Sequence, residues 1–369
     1  MKLAFGVIIL IHGIIHLLGF IKAFYSTEAP LQVLGISNPL GALWLITFIM
    51  FVASSASLFL NNKKWFYIAI VAVCISQILI ITAWKEAKFG SIANVLILLF
   101  SLSAYGSFRF TQMVQKEGTT LLKSTTISTA KTITKKEIQQ LPEIVQKWIS
   151  NSGVTSKGNI TSARLTQKGQ LKTKPRGKWM PFSAQQYFNI QKPAFIWSAK
   201  INNNALIHTL GRDKYTDGKA EMLIKLQGLI PVVNEAENSK LNSASMQRFL
   251  SEMCWFPSAA LNDYITWEAI DKTSAKAILT NQNQSVSGCF KFNSEGEILA
   301  FETERYFGGS ENSKLEKWVV KILDYKTFDG LKVPNKCEVT WKLESGDYNW
   351  LKLEITDIAY NKAQLYENE

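Results

Sequence analysis

Four apolar runs without a formal charge open the chain: Leu3 to Ile21, Gly41 to Leu60, Trp65 to Trp84 and Phe89 to Phe108. Each has the length of about 20 residues that a helix needs to cross a hydrocarbon core. They predict a four-helix transmembrane domain over residues 1–110. The first run is too long for a cleavable leader, and bulky residues follow it, so it is expected to stay as a helix. Asn61-Asn62-Lys63-Lys64 is so short a connection that the second and third helices must form an antiparallel hairpin. The Ala53-Ser54-Ser55-Ala56-Ser57 run supplies small side chains for close helix packing.

Beyond a Ser/Thr-rich linker expected over 111–136, the pattern changes. Pro142, Glu143 and the stripe Ile144, Val145, Trp148 and Ile149 predict a short amphipathic helix ending near Gly153. From Ile160 onward the apolar period is two. Strands are predicted at Ile160–Leu171, broken at Lys168-Gly169, and at 184–190, 194–201, 205–210, 220–226, 264–269, 275–279, 286–292, 298–305, 318–325, 337–343 and 351–358. Short turns such as Asn202-Asn203-Asn204 and Asp217-Gly218 force antiparallel neighbours. Only Asn242 to Leu261 breaks the alternation with helical spacing. The expected fold is therefore a four-helix transmembrane bundle plus a mainly antiparallel β domain over 137–369. A curved sheet or half-barrel with a short helical insert would protect its edges.

Charge refines the placement. The net +12 is uneven: residues 1–110 carry 7 basic and 2 acidic side chains, residues 111–180 carry 13 and 3, and residues 181–369 carry 21 and 24. A basic stretch after the last apolar run suits anionic membrane lipids, at about 1 kcal/mol per Lys or Arg near the surface. No nucleic-acid-binding motif accompanies it, so nucleic acid is not expected as a partner. Lys2, Lys63, Lys64, Arg109 and Lys116 fall on the face of the helix ends, against Lys22, Lys85 and Lys88 on the other. Five against three puts the soluble domain on the cytoplasmic side of a bacterial inner membrane by a margin of two. Cys254, Cys289 and Cys337 are widely spaced and form no CxxC, which argues against a zinc site or a disulfide framework.

Candidate chemistry is sparse. His12 and His16 are four apart and share one face of the first helix, a polar pair at membrane depth that reads either as a metal-binding or proton-relaying pair or as neutral rings bonded to Gln77 or to the Ser54/Ser57 face. Arg212, Asp213, Glu252 and Arg305 are charges set beside apolar residues. They read as ion pairs fixing the sheet to the insert, or as a ligand-binding group with Trp255, in which an arginine meets a phosphate or carboxylate head group. Asp213, Asp217, Gly218 and Glu221 do not make a calcium loop, since Ile224 stands where a bidentate Glu is needed. Phosphate-loop, dinucleotide-binding, HExxH and GxSxG patterns are absent. No catalytic residue, metal or cofactor is therefore expected.

Four stretches carry a family resemblance: His12-Gly13-Ile14-Ile15-His16-Leu17-Leu18-Gly19-Phe20, Gly211 to Gly218, Arg248 to Pro257, and Val333-Pro334 with Trp341. Through them the chain resembles an uncharacterised family of bacterial membrane proteins. Its membrane part is similar to the four-helix DoxX-type family, and its soluble part resembles the half-barrel of bacterial lipoprotein carriers. The resemblance implies a curved sheet around an apolar cavity for acyl chains, and hence a membrane-tethered protein that binds lipid or another apolar ligand. The alternative is a structural scaffold that docks a protein partner; an enzyme is the third reading.

Overall fold

The computed structural model describes residues 2–25, 36–125, 133–236, 238–308 and 310–367. Residues 126–132, inside the expected linker, lie outside that set. The chain divides into two compact units, Met1–Thr111 with Gln227–Leu229, and Gln112–Leu226 with Ile230–Glu369.

Helices α1 (Lys2–Tyr25), α2 (Asn38–Phe59), α3 (Trp65–Thr82), α4 (Trp84–Ala87) and α5 (Gly90–Lys123) follow the apolar runs; the first unit takes α5 as far as Thr111, and its later turns, with Glu117, belong to the second. Four of them are long and apolar enough to cross a membrane. Helix α5 passes well beyond the expected end at Phe108, and the linker expected from residue 111 is helical to Lys123. Its later turns alternate apolar and polar residues at helical spacing, which a search for uniformly apolar runs does not register. Around an apolar core that includes Phe5, Ile9, Phe51 and Phe66, the bundle also turns many large aliphatic side chains outward. Helix α1 buries Gly6, His12, Gly13, His16 and Gly19, while Ile8, Ile11, Ile14, Ile15 and Leu18 face outward. Small residues set the α1–α2 seam. A Cβ at Gly13 would lie 2.8 Å from Phe51 Cβ, and those at Gly6 and Gly19 would strike Phe59 and Trp44. The Ser55 hydroxyl donates to the Gly6 carbonyl across this seam at 2.9 Å.

The second unit holds α6 (Lys135–Ile138), α7 (Glu143–Asn151), α8 (Val154–Lys157) and α9 (Ser239–Glu252) against one antiparallel sheet. Its strands are β1 (Ser162–Leu171), β2 (Met180–Asn189), β3 (Ala194–Asn202), β4 (His208–Thr216), β5 (Lys219–Leu226), β6 (Ile230–Ala236), β7 (Ile265–Asp271), β8 (Ser274–Asn281), β9 (Gln284–Phe292), β10 (Ile298–Phe307), β11 (Lys314–Phe328), β12 (Leu331–Leu343) and β13 (Gly346–Tyr360). They order as β6-β5-β4-β3-β2-β1-β13-β12-β11-β10-β9-β8-β7. This is the curved, unclosed sheet with a helical insert that the alternation predicts. Two meanders are zipped together by β1 and β13, so the chain must travel from edge strand β6 to edge strand β7. That crossing is α9 and two 3₁₀ turns, Met253–Trp255 and Pro257–Leu261.

The sequence reading differs in three places. Strand β6 was not predicted, because Pro231 and the charged Glu235 obscure its alternation; both suit an unpaired edge. Strand β1 runs unbroken through Lys168-Gly169, its irregularity being a bulge at Thr166/Gln167. Strand β4 begins at His208 and continues through the charges to Thr216, rather than spanning 205–210. Asp217 and Gly218, with φ of 51° and 77°, then close the β4–β5 turn, where a residue pair tolerant of positive φ is required.

The interior is filled. Phe188, Phe249 and Phe256 pack at centroid distances of 4.8 to 6.2 Å. Trp148, Phe290, Phe301, Trp318 and Trp341 continue the aromatic chain along the other meander. Burying one such ring contributes about 1.5–3 kcal/mol.

Candidate functional site

Adjacent strand residues project to opposite faces, and this separates the two charges that the sequence sets together at Arg212 and Asp213. Arg212 meets Glu221 at 2.9 Å and Glu117 of α5 at 3.3 Å, with Lys214 completing the cluster at 2.9 Å from Glu221. Burial works to raise the Glu221 carboxyl, but Lys214 and Arg212 outweigh it and hold it below its usual range. Arg212 thus belongs to a structural cluster on the face away from α9.

Asp213 turns toward α9. There Arg248 bonds Asp213 at 2.7 Å and Glu252 at 2.8 Å, its guanidinium lying 5.0 Å over both Phe195 and Trp197. Glu252 accepts from Gln186 at 2.8 Å, Gln186 from Gln167 at 3.1 Å, and Gln167 from the Trp197 indole at 2.8 Å. The register places Asp213, Trp197 and Gln186 in one row across β4, β3 and β2, so a single α9 turn reaches all of them. Burial pushes the Glu252 carboxyl up while Arg248 pulls against it.

Arg305, on β10 in the opposite meander, is built differently. Its Nε donates to the Ala244 carbonyl of α9 at 3.0 Å, and its guanidinium lies 4.9 Å over Trp318 and 5.4 Å over Trp341. Among the described residues no carboxylate pairs with it; Glu304, its neighbour, points to the other face. Burial, then the nearby Arg248 charge, pull its pKa down to about 10. The Trp318 indole N–H and Gln247 Oε1 are also buried without partners. Beside them β9 and β10 part. Their ladder covers only Ile298–Glu302, and beyond it an open groove of about 390 Å³ is lined by Ser243, Gln247, Ser287, Thr303 and Glu304. Gln247 spans the parted strands, donating to Thr303 Oγ1 at 3.0 Å and to the Glu304 carbonyl at 2.6 Å.

The structure therefore brings together Asp213, Glu252 and Arg305 and leaves out Arg212. Trp255 is also elsewhere, a core residue whose indole donates to the Pro334 carbonyl at 3.0 Å. Sequence reading missed Arg248, Gln186, Gln167 and Trp197. The i, i+4 spacing of Arg248 and Glu252 on a helical stretch was the available signal; for the two glutamines the sequence carries none. All four cysteines are unpaired, and among the described residues no cluster of His, Cys, Asp or Glu could hold a metal ion.

Residues 139–360 match the sequence profile of the family of unknown function DUF6920. The protein is a member of the DUF6920 family. No curated protein matches the chain. Three solved structures are similar to this DUF6920 protein. A candidate outer membrane lipoprotein-sorting protein domain from Vibrio parahaemolyticus is 13% identical, with 60% of this chain and 93% of that chain covered at a TM-score of 0.37. A LolA superfamily protein from Nitrosomonas europaea is 15% identical over 61% and 93%, at 0.33. A DUF1329 family protein from Desulfovibrio piger is 11% identical over 59% and 91%, also at 0.33.

In the helical unit, His12 and His16 meet neither Ser54 nor Ser57. The His12 Nε2 bonds Asn94 Oδ1 at 2.9 Å and the His16 Nε2 bonds Ser76 Oγ at 2.9 Å; Gln77 joins through Asn94. Asn94 and Ser76, the direct partners, were not foreseen.

Proposed function

We propose that the protein is a multi-pass membrane protein, of DoxX-like build in its helices, that binds an anionic amphiphile inside its half-barrel. The observation that carries this reading is Arg305: a cation without a counter-ion, held between two indoles beside an apolar interior. A carboxylate or phosphate head group would supply the missing charge, and the apolar chain would take the place that α9 fills. Helix α9 is the part that must yield, since the interior it covers is packed with buried side chains and the concavity beside it is an open groove. The bundle's outward Ile and Leu side chains support a bilayer as its surroundings, with the basic stretch after it drawn to anionic lipid. The charge count along the helix ends favours a bacterial inner membrane with the soluble domain in the cytoplasm.

Quenching by a fatty acid brominated on its chain tests this on the full-length protein in mild detergent. Saturable quenching that is lost in Trp318→Phe/Trp341→Phe supports the reading, and quenching insensitive to that pair refutes it. A second reading, a scaffold that docks a protein partner, is favoured by the filled interior. It predicts no saturable quenching at any brominated-chain concentration below micelle formation.

A further inference from the structure

Inside the apolar bundle, the side chains of α1, α3 and α5 make a hydrogen-bonded chain whose protons can be counted. His16 Nδ1 lies 2.8 Å from the His12 carbonyl, which only accepts, so Nδ1 carries a proton. In one arrangement Ser76 Oγ gives its single proton to Asn94 Oδ1, 3.0 Å away. His16 Nε2, 2.9 Å from the same Ser76 oxygen, must then donate to it. Asn94 Oδ1 also accepts from His12 Nε2 at 2.9 Å, while Asn94 Nδ2 donates to Gln77 Oε1 at 3.1 Å and Gln77 Nε2 to Ser91 Oγ at 3.0 Å. In this arrangement His16 donates from both nitrogens. The chain holds one proton more than two neutral rings supply.

A second complete arrangement exists without that proton. If the Asn94 and Gln77 amides turn over, Asn94 Nδ2 donates to Ser76 and to His12 Nε2. Gln77 then donates to Asn94 Oδ1, Ser91 donates to Gln77, and Ser76 gives its proton to a neutral His16 Nε2. Every contact is kept, and the two states differ by one proton, two amide orientations, the directions of the Ser76 and Ser91 hydroxyls and the His12 tautomer, whose proton sits on Nε2 in the first state and on Nδ1 in the second. We propose that His16, Ser76, Asn94 and His12 form a proton-binding site that takes up one proton per chain.

The surroundings fit such a site. No Asp, Glu, Lys or Arg lies between Lys2 and Lys22 on α1, on α2 or α3, or before Arg109 on α5; Lys85 and Glu86 of α4 and Lys88 after it lead into α5 with exposed side chains, so the two rings are the buried titratable groups facing one another. Helix α2 contributes only Trp44 and Phe51, whose rings lie 5.0 and 5.3 Å from the His16 ring and can stabilise an imidazolium. Ionisable groups at membrane depth are costly, and a site that binds a proton justifies the cost better than packing does.

The test is solid-state NMR of the full-length protein in lipid bilayers with ¹⁵N-labelled histidine. The chain has three histidines, and His208→Gln removes the third. Between about pH 8 and pH 4.5, one imidazolium per chain should form, at His16, with His12 neutral and the Asn94 amide signal moving in the same transition. Ser76→Ala removes the hydroxyl that meets His16 Nε2 in both states; the charge-assisted bond of the imidazolium is the stronger of the two, so the midpoint should fall by about one pH unit. Asn94→Leu should uncouple the rings. Rings that stay neutral throughout, two independent protonations in the unaltered protein, or a transition unchanged by Ser76→Ala would each overturn the proposal.

Discussion

Replacing Arg248 by Met keeps the apolar stem over Phe195 and Trp197 and removes the charge that Asp213 and Glu252 share. Glu252 is left in the interior with a glutamine as its remaining partner, and Asp213 is left part-buried. Breaking a buried pair by removing one member costs about 3–5 kcal/mol, because the surviving charge is desolvated without compensation. For a domain of this size that is a fall in melting temperature of roughly 6–20 °C. Eight of the eleven tryptophans follow Glu143, so intrinsic fluorescence of the full-length protein in mild detergent reports mainly on the β domain. The pH dependence has a definite sign. Burial already raises the Glu252 carboxyl, and without Arg248 it rises further. A carboxyl raised in the folded state contributes stability that is present below its unfolded value and lost as pH rises through its folded value. The deficit of Arg248→Met against the parent should therefore shrink from about pH 7.5 to about pH 5, and Arg248→Met/Glu252→Gln should recover on the order of 1–2 kcal/mol at the higher pH. A loss below about 1 kcal/mol, or a deficit that grows on acidification, would refute this account of the cluster.

Arg305→Met should behave oppositely, leaving the melting temperature unchanged or higher while abolishing brominated-chain quenching, since it removes a buried cation with no counter-ion. Arg212→Met should lower the melting temperature but leave quenching intact, because Arg212 ties β4 and β5 to α5 on the other face; loss of quenching would contradict that placement. Gly13→Leu should disrupt the α1–α2 seam, where even a Cβ would meet Phe51 at 2.8 Å, and yield aggregated protein on size exclusion. Gly346→Ala, at a φ of 108° but with open space around it, should cost only its backbone strain, about 1–3 kcal/mol by thermal melt.

The periodicities carried most of the architecture. Uniform apolar runs marked the four helices, alternation marked twelve strands, and its interruption after Asn242 marked the insert. Strand β6 escaped because an edge strand is kept short, charged and proline-bearing to resist further pairing. The site was only half legible. Local spacing brings Asp213 and Glu252 into view as charges, but which of two adjacent charges faces the interior depends on register. Register is set by the whole meander, and so Arg212 was grouped with Asp213. The partners Gln167, Gln186, Ser76 and Asn94 are ordinary polar residues until the fold brings them from distant parts of the chain onto a buried acid or imidazole. Trp255 reads from sequence as one of the aromatics that could line a lipid cavity, and the 3₁₀ turn Met253–Trp255 sets it in the core.

The most direct test of the central claim is photo-crosslinking of the full-length protein in native membranes, with a lipid bearing a photoactivatable group on its acyl chain and peptide mapping by mass spectrometry. The account predicts crosslinks on the interior peptides that carry Phe249, Trp318 and Trp341, diminished by Arg305→Met. Crosslinks confined to the outward faces of α1, α2, α3 and α5, the same with and without Arg305, would contradict it.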